Sequence, residues 1–205
     1  MALKDTPIVF VVDDDEGIRT SIKSLLESAG LRAECFETAE EFLQRKASGG
    51  PSCLILDVSL PGINGLDFQQ QLRASGLQIP IIFLTAHGNI PMTVKAMKSG
   101  AVEFLTKPFG DEELLSAIQQ ALRRDSASRK EQAEIADLKV CYDTLTKRER
   151  EVLNLISEGY SNKQGALRMQ ISPRTFESHR AEAMRKLGAR NTADLVRAVL
   201  LQPLE

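Results

Sequence analysis

The chain is poor in cysteine and has no long hydrophobic run. Its three cysteines, Cys35, Cys53 and Cys141, are odd in number and form no CxxC pair, which excludes a fully paired disulfide framework. Each lies among apolar neighbours, the setting of a small core residue in a reducing cytoplasm. No stretch approaches the roughly 18 apolar residues of a membrane span, so no membrane partner is expected. The opening run Ile8–Val12 is too short for the core of a secretory signal, and Asp13 cuts it off. Internal repeats and low-complexity tracts are missing as well. A cytoplasmic location is the expectation.

What is there is an ordinary globular composition in 205 residues, enough for one large domain or two small ones. The net charge of -2 conceals an asymmetry. Residues 1–122 carry 10 basic and 16 acidic side chains, whereas residues 123–205 carry 16 and 12. An acidic half joined to a basic half suggests two domains, the second a candidate for nucleic acid.

Strand and helix periods alternate five times in the first half. IVFVV (8–12), LRAECF (31–36), CLIL (53–56), IPIIFL (79–84) and VEFL (102–105) read as strands. Helical spacing follows each of them, at 18–29, 38–47, 65–74, 91–98 and 111–122. Five such units predict an α/β fold, a doubly wound five-stranded parallel sheet. Functional groups of such sheets gather beyond the carboxyl ends of the strands. Asp13 and Asp14 end the first strand, Asp57 the third and Thr85 the fourth, and Lys107 follows the fifth. A carboxylate closing the apolar run LILD is costly to bury unless something pairs with it. If the three carboxylates converge, they repel one another and call for a cation. Hard oxygen ligands that leave room for water and phosphate suit Mg²⁺. With the charge of Lys107 and the hydroxyl of Thr85 they make a site for a phosphoryl group, whose transfer needs mainly positioning and charge neutralisation.

The set VVDDD, LILDVSLPGINGLD, TAHG and LTKPF resembles the flavodoxin-like receiver domain of two-component response regulators, over about residues 6–122. The resemblance implies that Asp57 is the phosphoacceptor, served by the phosphohistidine of a sensor histidine kinase. It implies Mg²⁺ held by Asp13, Asp14, Asp57 and the backbone carbonyl of Ser59, with Thr85 and Lys107 on the phosphoryl oxygens. The Lys107–Pro108 bond is expected to be cis. Asp15 has no ligand role in that pattern and is expected to be solvated. Thr85 and Phe104 would form the switch: phosphate adds about -1.5 to -2 charges, Thr85 moves toward it, and the ring turns into the vacated space. The surface of 91–110 would change shape and offer a dimer face.

Residues 123–134, RRDSASRKEQAE, hold no large apolar residue, no proline and no glycine. They read as a linker rich in helix formers. The expected division is a receiver at 1–122, a partly helical linker at 123–143 and a second domain at 144–205.

That second domain is marked by helix starts. Thr146–Glu149 and Ser161–Gln164 are capping boxes, and Ser172-Pro173 is an N-cap followed by proline at the first helical position. Gly159 and Gly188 are stops, and Asn191 caps a last helix to about Leu201. Four short helices with a tight turn between the middle pair predict a small all-α helix-turn-helix domain. On the third helix Phe176, Ala183 and Leu187 share one face, while Arg174, Glu177, Ser178, Ala181 and Arg185 turn the other way, a form that fits a major groove. Basic residues at 163, 168, 174, 180, 185, 186 and 190 are candidate phosphate partners.

LTKREREVLNLISEGYSNKQGA and ISPRTFESHRAEAMRKLGA resemble the LuxR-type DNA-binding domain, and the chain as a whole resembles the FixJ family. The resemblance implies double-stranded DNA as a partner, met by Lys163, Arg174, Thr175, Glu177, Ser178, Ala181 and Arg185. It implies a homodimer on phosphorylation, aided by Val196, Val199 and Leu200, and contact with RNA polymerase. No enzyme activity is expected beyond the receiver's own phosphotransfer and dephosphorylation. Three positions depart from the pattern. Gly165 stands where a large aliphatic residue is usual, Phe176 replaces the usual Val, and Gln170 occupies a turn position that favours Gly or Asn. The added volume of Phe176 is expected to fill the space that Gly165 leaves. Two rivals stand beside this reading. One is a regulator working by protein contact with a degenerate helix-turn-helix. The other is an Mg²⁺-dependent phosphatase with Asp57 as nucleophile, which usually needs a second Asp two residues on, where Ser59 stands.

Overall fold

Five apolar runs become the five strands of one parallel sheet: β1 (Ile8–Val12), β2 (Arg32–Phe36), β3 (Ser52–Asp57), β4 (Ile81–Thr85) and β5 (Glu103–Thr106). The computed structural model describes residues 6–45 and 48–200. Spatial order is β2-β1-β3-β4-β5, the doubly wound arrangement the alternation predicts. Side chains alternate between its two faces. Phe10, Val12, Leu54, Leu56 and Phe83 pack under α2 (Ala39–Gln44), α3 (Gly65–Ala74) and α4 (Ile90–Lys98). Val9, Val11, Ile55, Ile82 and Leu84 pack under α1 (Glu16–Ser28) and the first part of α5 (Asp111–Asp143). Each large aliphatic side chain buried there contributes about 1.5–3 kcal/mol.

The order of strands reverses between β1 and β3. Val12 pairs with Leu56 in that register, so the residues that follow, Asp13 and Asp57, emerge side by side. Asp57 closes β3 as its last residue rather than beginning a turn. The helix expected at 38–47 is shorter; Thr38 caps it, accepting from Glu41 N, and residues 46 and 47 lie outside the described residues.

Helix α5 runs through the expected linker to Asp143, and the chain divides into two compact units after Arg129, within that 123–143 segment. The reason is polar. Asp125 is buried, and its Oδ2 accepts from the backbone N–H of Ser52 at 2.7 Å and from Arg129 Nε at 2.6 Å. Arg129 also donates to Ser52 Oγ at 3.3 Å. A segment without large apolar residues is thus tied to the sheet by hydrogen bonds instead.

The second unit holds α6 (Lys147–Ser157), α7 (Asn162–Arg168), α8 (Pro173–Leu187) and α9 (Thr192–Leu200). The expected end of the last helix at Leu201 lies outside the described residues. Both capping boxes are formed, with Thr146 and Glu149 on α6 and Ser161 and Gln164 on α7. Between α7 and α8 the backbone of Gln170 takes φ 55, the left-handed form that Gly or Asn adopts at less cost. Val152, Leu153, Phe176, Ala183, Leu187 and Leu195 form the core. A Cβ placed on Gly165 would lie 2.5 Å from Cε2 and 2.6 Å from Cζ of Phe176. The Phe176 ring therefore occupies the space an aliphatic residue at 165 would fill, which removes the packing defect behind the degenerate-domain reading.

Asp125→Ala is expected to lower receiver stability in denaturant titration by about 1–3 kcal/mol, because the Ser52 N–H loses a buried acceptor. No measurable loss would show that the network carries no weight. In the second unit, Gly165→Ile and Phe176→Val should each destabilise, the first through overpacking worth about 1–3 kcal/mol. Thermal unfolding of the double variant should show a cost well below the sum; additivity would refute the pairing.

Candidate functional site

Beyond the sheet's carboxyl edge, β1, β3 and the loop after β5 bring three ionisable groups together. Lys107 Nζ lies 2.6 Å from Asp13 Oδ2 and 2.7 Å from Asp57 Oδ2. Both aspartates are buried, while the neighbouring Asp14 is exposed. Carboxylate oxygens of Asp13, Asp14 and Asp57 lie within 4.8 Å of one another. The acidic residues and Lys107 therefore converge at this edge, as expected.

The carboxylates are held at their other oxygens too. Asp13 Oδ1 accepts from Asp15 N at 3.0 Å, and Asp57 Oδ1 accepts from Ser59 N at 2.9 Å. Burial pushes the Asp13 carboxyl above its usual pKa, and its bonds to Lys107 and Asp15 only partly offset this. Burial also works against the charge of Lys107, but the two carboxylates outweigh it and raise the lysine's pKa. Hard oxygens clustered this tightly, with one carboxylate still facing water, are a donor set that fits Mg²⁺.

Thr85 is buried at the end of β4, and its Oγ1 accepts from His87 N at 3.2 Å. Its carbonyl accepts from Lys107 N at 2.8 Å. The Lys107–Pro108 bond is cis. Phe104 is half-buried, its ring tilted against Phe83 at 5.9 Å between centroids. The loop after β4 rests on both Thr85 and Phe104. A Cβ on Gly88 would stand 3.0 Å from Phe104 Cε1 and 3.4 Å from Thr85 Cγ2.

Sequence reasoning missed three contributors. Asp15 is exposed, as expected, yet it is not idle: its Oδ1 accepts from Gly17 N and Ile18 N and caps α1. Arg19, one turn along that helix, donates to the carbonyl of Asp13 at 2.7 Å. Gly65 opens α3 with its N–H on the carbonyl of Val58, and a Cβ there would collide with the carbonyl oxygen of Asp57. The legible signal was a glycine one residue after an Asn N-cap, just past the loop that follows Asp57.

In the second unit, Lys163 on α7 and Arg174, Thr175, Glu177, Ser178, Ala181 and Arg185 on α8 are exposed, while Phe176, Ala183 and Leu187 face the core. Several basic residues expected at phosphates also have protein partners. Lys186 Nζ binds both carboxylate oxygens of the buried Glu149, at 2.8 and 3.0 Å. Arg168 donates to the hydroxyl of Tyr160 at 2.6 Å, Arg180 donates to Asn162 at 2.9 Å, and Arg185 donates to Glu182 at 3.0 Å. Lys163 and Arg174 have no partner among the described residues. The Thr175 hydroxyl is engaged with Ser172 at 2.8 Å in the cap of α8.

Comparison with known proteins agrees with both halves. Residues 9–119 match the response regulator receiver domain, and residues 143–199 match the bacterial regulatory proteins of the luxR family. Transcriptional regulatory protein FixJ of Bradyrhizobium diazoefficiens is 38% identical over 94% of this chain and 94% of its own length. This chain belongs to the FixJ family of response regulators. Other relatives of this family are nodulation protein W of the same organism, 47% identical, and response regulator protein TodT of Pseudomonas putida, 46% identical. Each alignment covers 93% of this chain and 84% of the relative. Among solved structures, response regulator StyR matches with a TM-score of 0.81 and 44% identity, over 96% of this chain and all of that one. Full-length FixJ from B. japonicum matches with a TM-score of 0.56 and 36% identity, over 96% of this chain and 97% of that one. As a response regulator with a receiver and a LuxR-type DNA-binding domain, the chain has a sensor kinase and DNA as its classes of partner. It is a transcriptional regulator by family. Among the described residues no helix is long and apolar enough to cross a membrane.

The Glu149–Lys186 pair carries a pH dependence. Burial disfavours the Glu149 charge, but its bonds to Lys186 and Thr146 prevail and hold the carboxyl below its usual value of 4.5. A depressed folded pKa contributes stability that is complete above the unfolded value and is lost as pH falls through the folded one. The unfolding midpoint of the second unit should therefore drop as pH falls below 4.5, and Lys186→Met should flatten that dependence.

Proposed function

We propose that Asp57 receives a phosphoryl group from the phosphohistidine of a sensor histidine kinase, becoming an acyl phosphate, and that this modification controls DNA binding. The observation that carries the reading is the Lys107 ammonium held between Asp13 and Asp57 at 2.6 and 2.7 Å. An ammonium so placed can pass from the Asp57 carboxylate to the oxygens of an attached phosphoryl group without leaving Asp13. Thr85 offers its hydroxyl from the adjacent strand end. Asp13, Asp14, Asp57 and the backbone carbonyl of Ser59 would hold Mg²⁺, which when bound neutralises charge on the transferring group. The same groups would support slow loss of the phosphate to water, the only catalysis assigned to this chain.

Phosphate would draw Thr85 toward it and open space beside β5 for the Phe104 ring. Gly88 keeps the overlying loop close enough to follow. The surface of residues 91–110 then changes, and its apolar side chains Val94 and Met97, already exposed at 44% and 41%, favour a dimer. Leu200 on α9, 76% exposed, offers a second apolar contact beside the partly buried Val196 and Val199. Two α8 helices would then lie in successive major grooves, about 34 Å apart. Lys163, Arg174 and Arg185 would approach phosphates, with Thr175, Glu177, Ser178 and Ala181 toward the duplex. The setting is the cytoplasm, and the output is a changed encounter of RNA polymerase with the promoter.

Asp57→Asn is expected to abolish phosphate incorporation from a small acyl phosphodonor, together with the gain in dimer measured by sedimentation. A variant that still dimerised on adding the donor would show that the switch lies elsewhere. Wild-type binding to duplex DNA should weaken steeply with salt, its logarithmic slope reflecting several phosphate contacts.

A further inference from the structure

The recognition helix carries a carboxylate where DNA would repel it, and the carboxylate is not left to wander. Asn162, the first residue of α7, donates from Nδ2 to Glu177 Oε1 at 3.3 Å. Its own Oδ1 accepts from Arg180 Nη1 at 2.9 Å. Arg180 reaches in turn to Thr192 Oγ1, at the start of α9, through Nη2 at 3.0 Å. The relay thus runs from α9 through α8 to the start of α7 and back to α8.

Its direction is set by charge. A guanidinium can only donate, so it holds the amide oxygen of Asn162 toward itself and the amide nitrogen toward Glu177. Oε1 of Glu177 is thereby engaged, while Oε2 has no partner among the described residues. The cation of Arg180 stands one amide away and offsets part of the carboxylate's repulsion from the DNA backbone. What remains is a single oriented acceptor on the exposed face of α8.

Resting on the reading that α8 enters the major groove, we infer that Glu177 reads the N4 amino group of a cytosine in each half-site. Asn162 and Arg180 act as its positioning residues. The major groove offers two amino donors, cytosine N4 and adenine N6. Adenine sets the N7 acceptor beside its donor, and an oxygen accepting from N6 is repelled by the neighbouring N7 lone pair. Cytosine presents N4 without that neighbour. A carboxylate with one free acceptor therefore selects cytosine, and Arg180 serves this acceptor rather than a phosphate.

The test is selection of bound duplexes from a random library by the full chain, with and without an acyl phosphodonor. Wild type should enrich one cytosine per half-site. Glu177→Gln, which sets a donor amide nitrogen where the free carboxylate oxygen stood, should lower the cytosine preference at that position by about tenfold or more and leave the others intact. Asn162→Ala and Arg180→Ala should relax preference at that same position severalfold, with the unfolding midpoint followed in parallel. If Glu177→Gln binds but keeps the wild-type motif, the inference is overturned while the groove reading stands. Relaxation at every position alike, in step with lost stability, would overturn the positioning role. If wild type enriches no sequence, the groove reading itself fails.

Discussion

Everything at the sheet's carboxyl edge depends on two buried carboxylates sharing one ammonium. Asp13 and Asp57 emerge side by side because β1 and β3 pair in parallel with Val12 opposite Leu56. Two like charges so close, with little water, are unfavourable until Lys107 arrives from beyond β5. The site is therefore built from three separate chain segments, and no one of them has a reason to hold its charge alone. Such an arrangement responds to added charge. On the proposed reading, a phosphoryl group on Asp57 would compete for the same ammonium, and Thr85, Gly88 and Phe104 lie close together beside it.

The supporting structure uses polar chemistry where apolar residues run out. Arg19 fixes the carbonyl of Asp13, Asp15 caps the helix that carries Arg19, and Gly65 lets α3 approach the carbonyl of Asp57. At the opposite edge of the sheet, Asp125 and Arg129 close the start of β3. The strand that ends in Asp57 thus begins at a hydrogen-bonded anchor, and both of its ends are held by charged groups.

In the DNA-binding unit the net positive charge is not the same as the binding charge. Lys186 compensates a buried glutamate, Arg180 orients an amide, and Arg168 binds a tyrosine hydroxyl. These bonds join short helices that share a small core, where the Phe176 ring fills the space beside Gly165.

Alternation of apolar runs and helical spacing, read along the chain, was enough for the five-stranded doubly wound sheet. Cap residues and stop glycines were enough for the four helices after it. Both are local signals, because period and capping act over a few residues. The polar residues at strand ends marked the site for the same reason: an Asp closing LILD has no local justification. What local patterning leaves open is pairing across space. It does not say that Asp125 belongs to the first unit, that Lys186 belongs to Glu149 rather than to a phosphate, or that Arg180 turns Asn162 toward Glu177. Those partners lie tens of residues apart, or on neighbouring helices whose angle sets the distance, so only the packed chain decides which charge meets which.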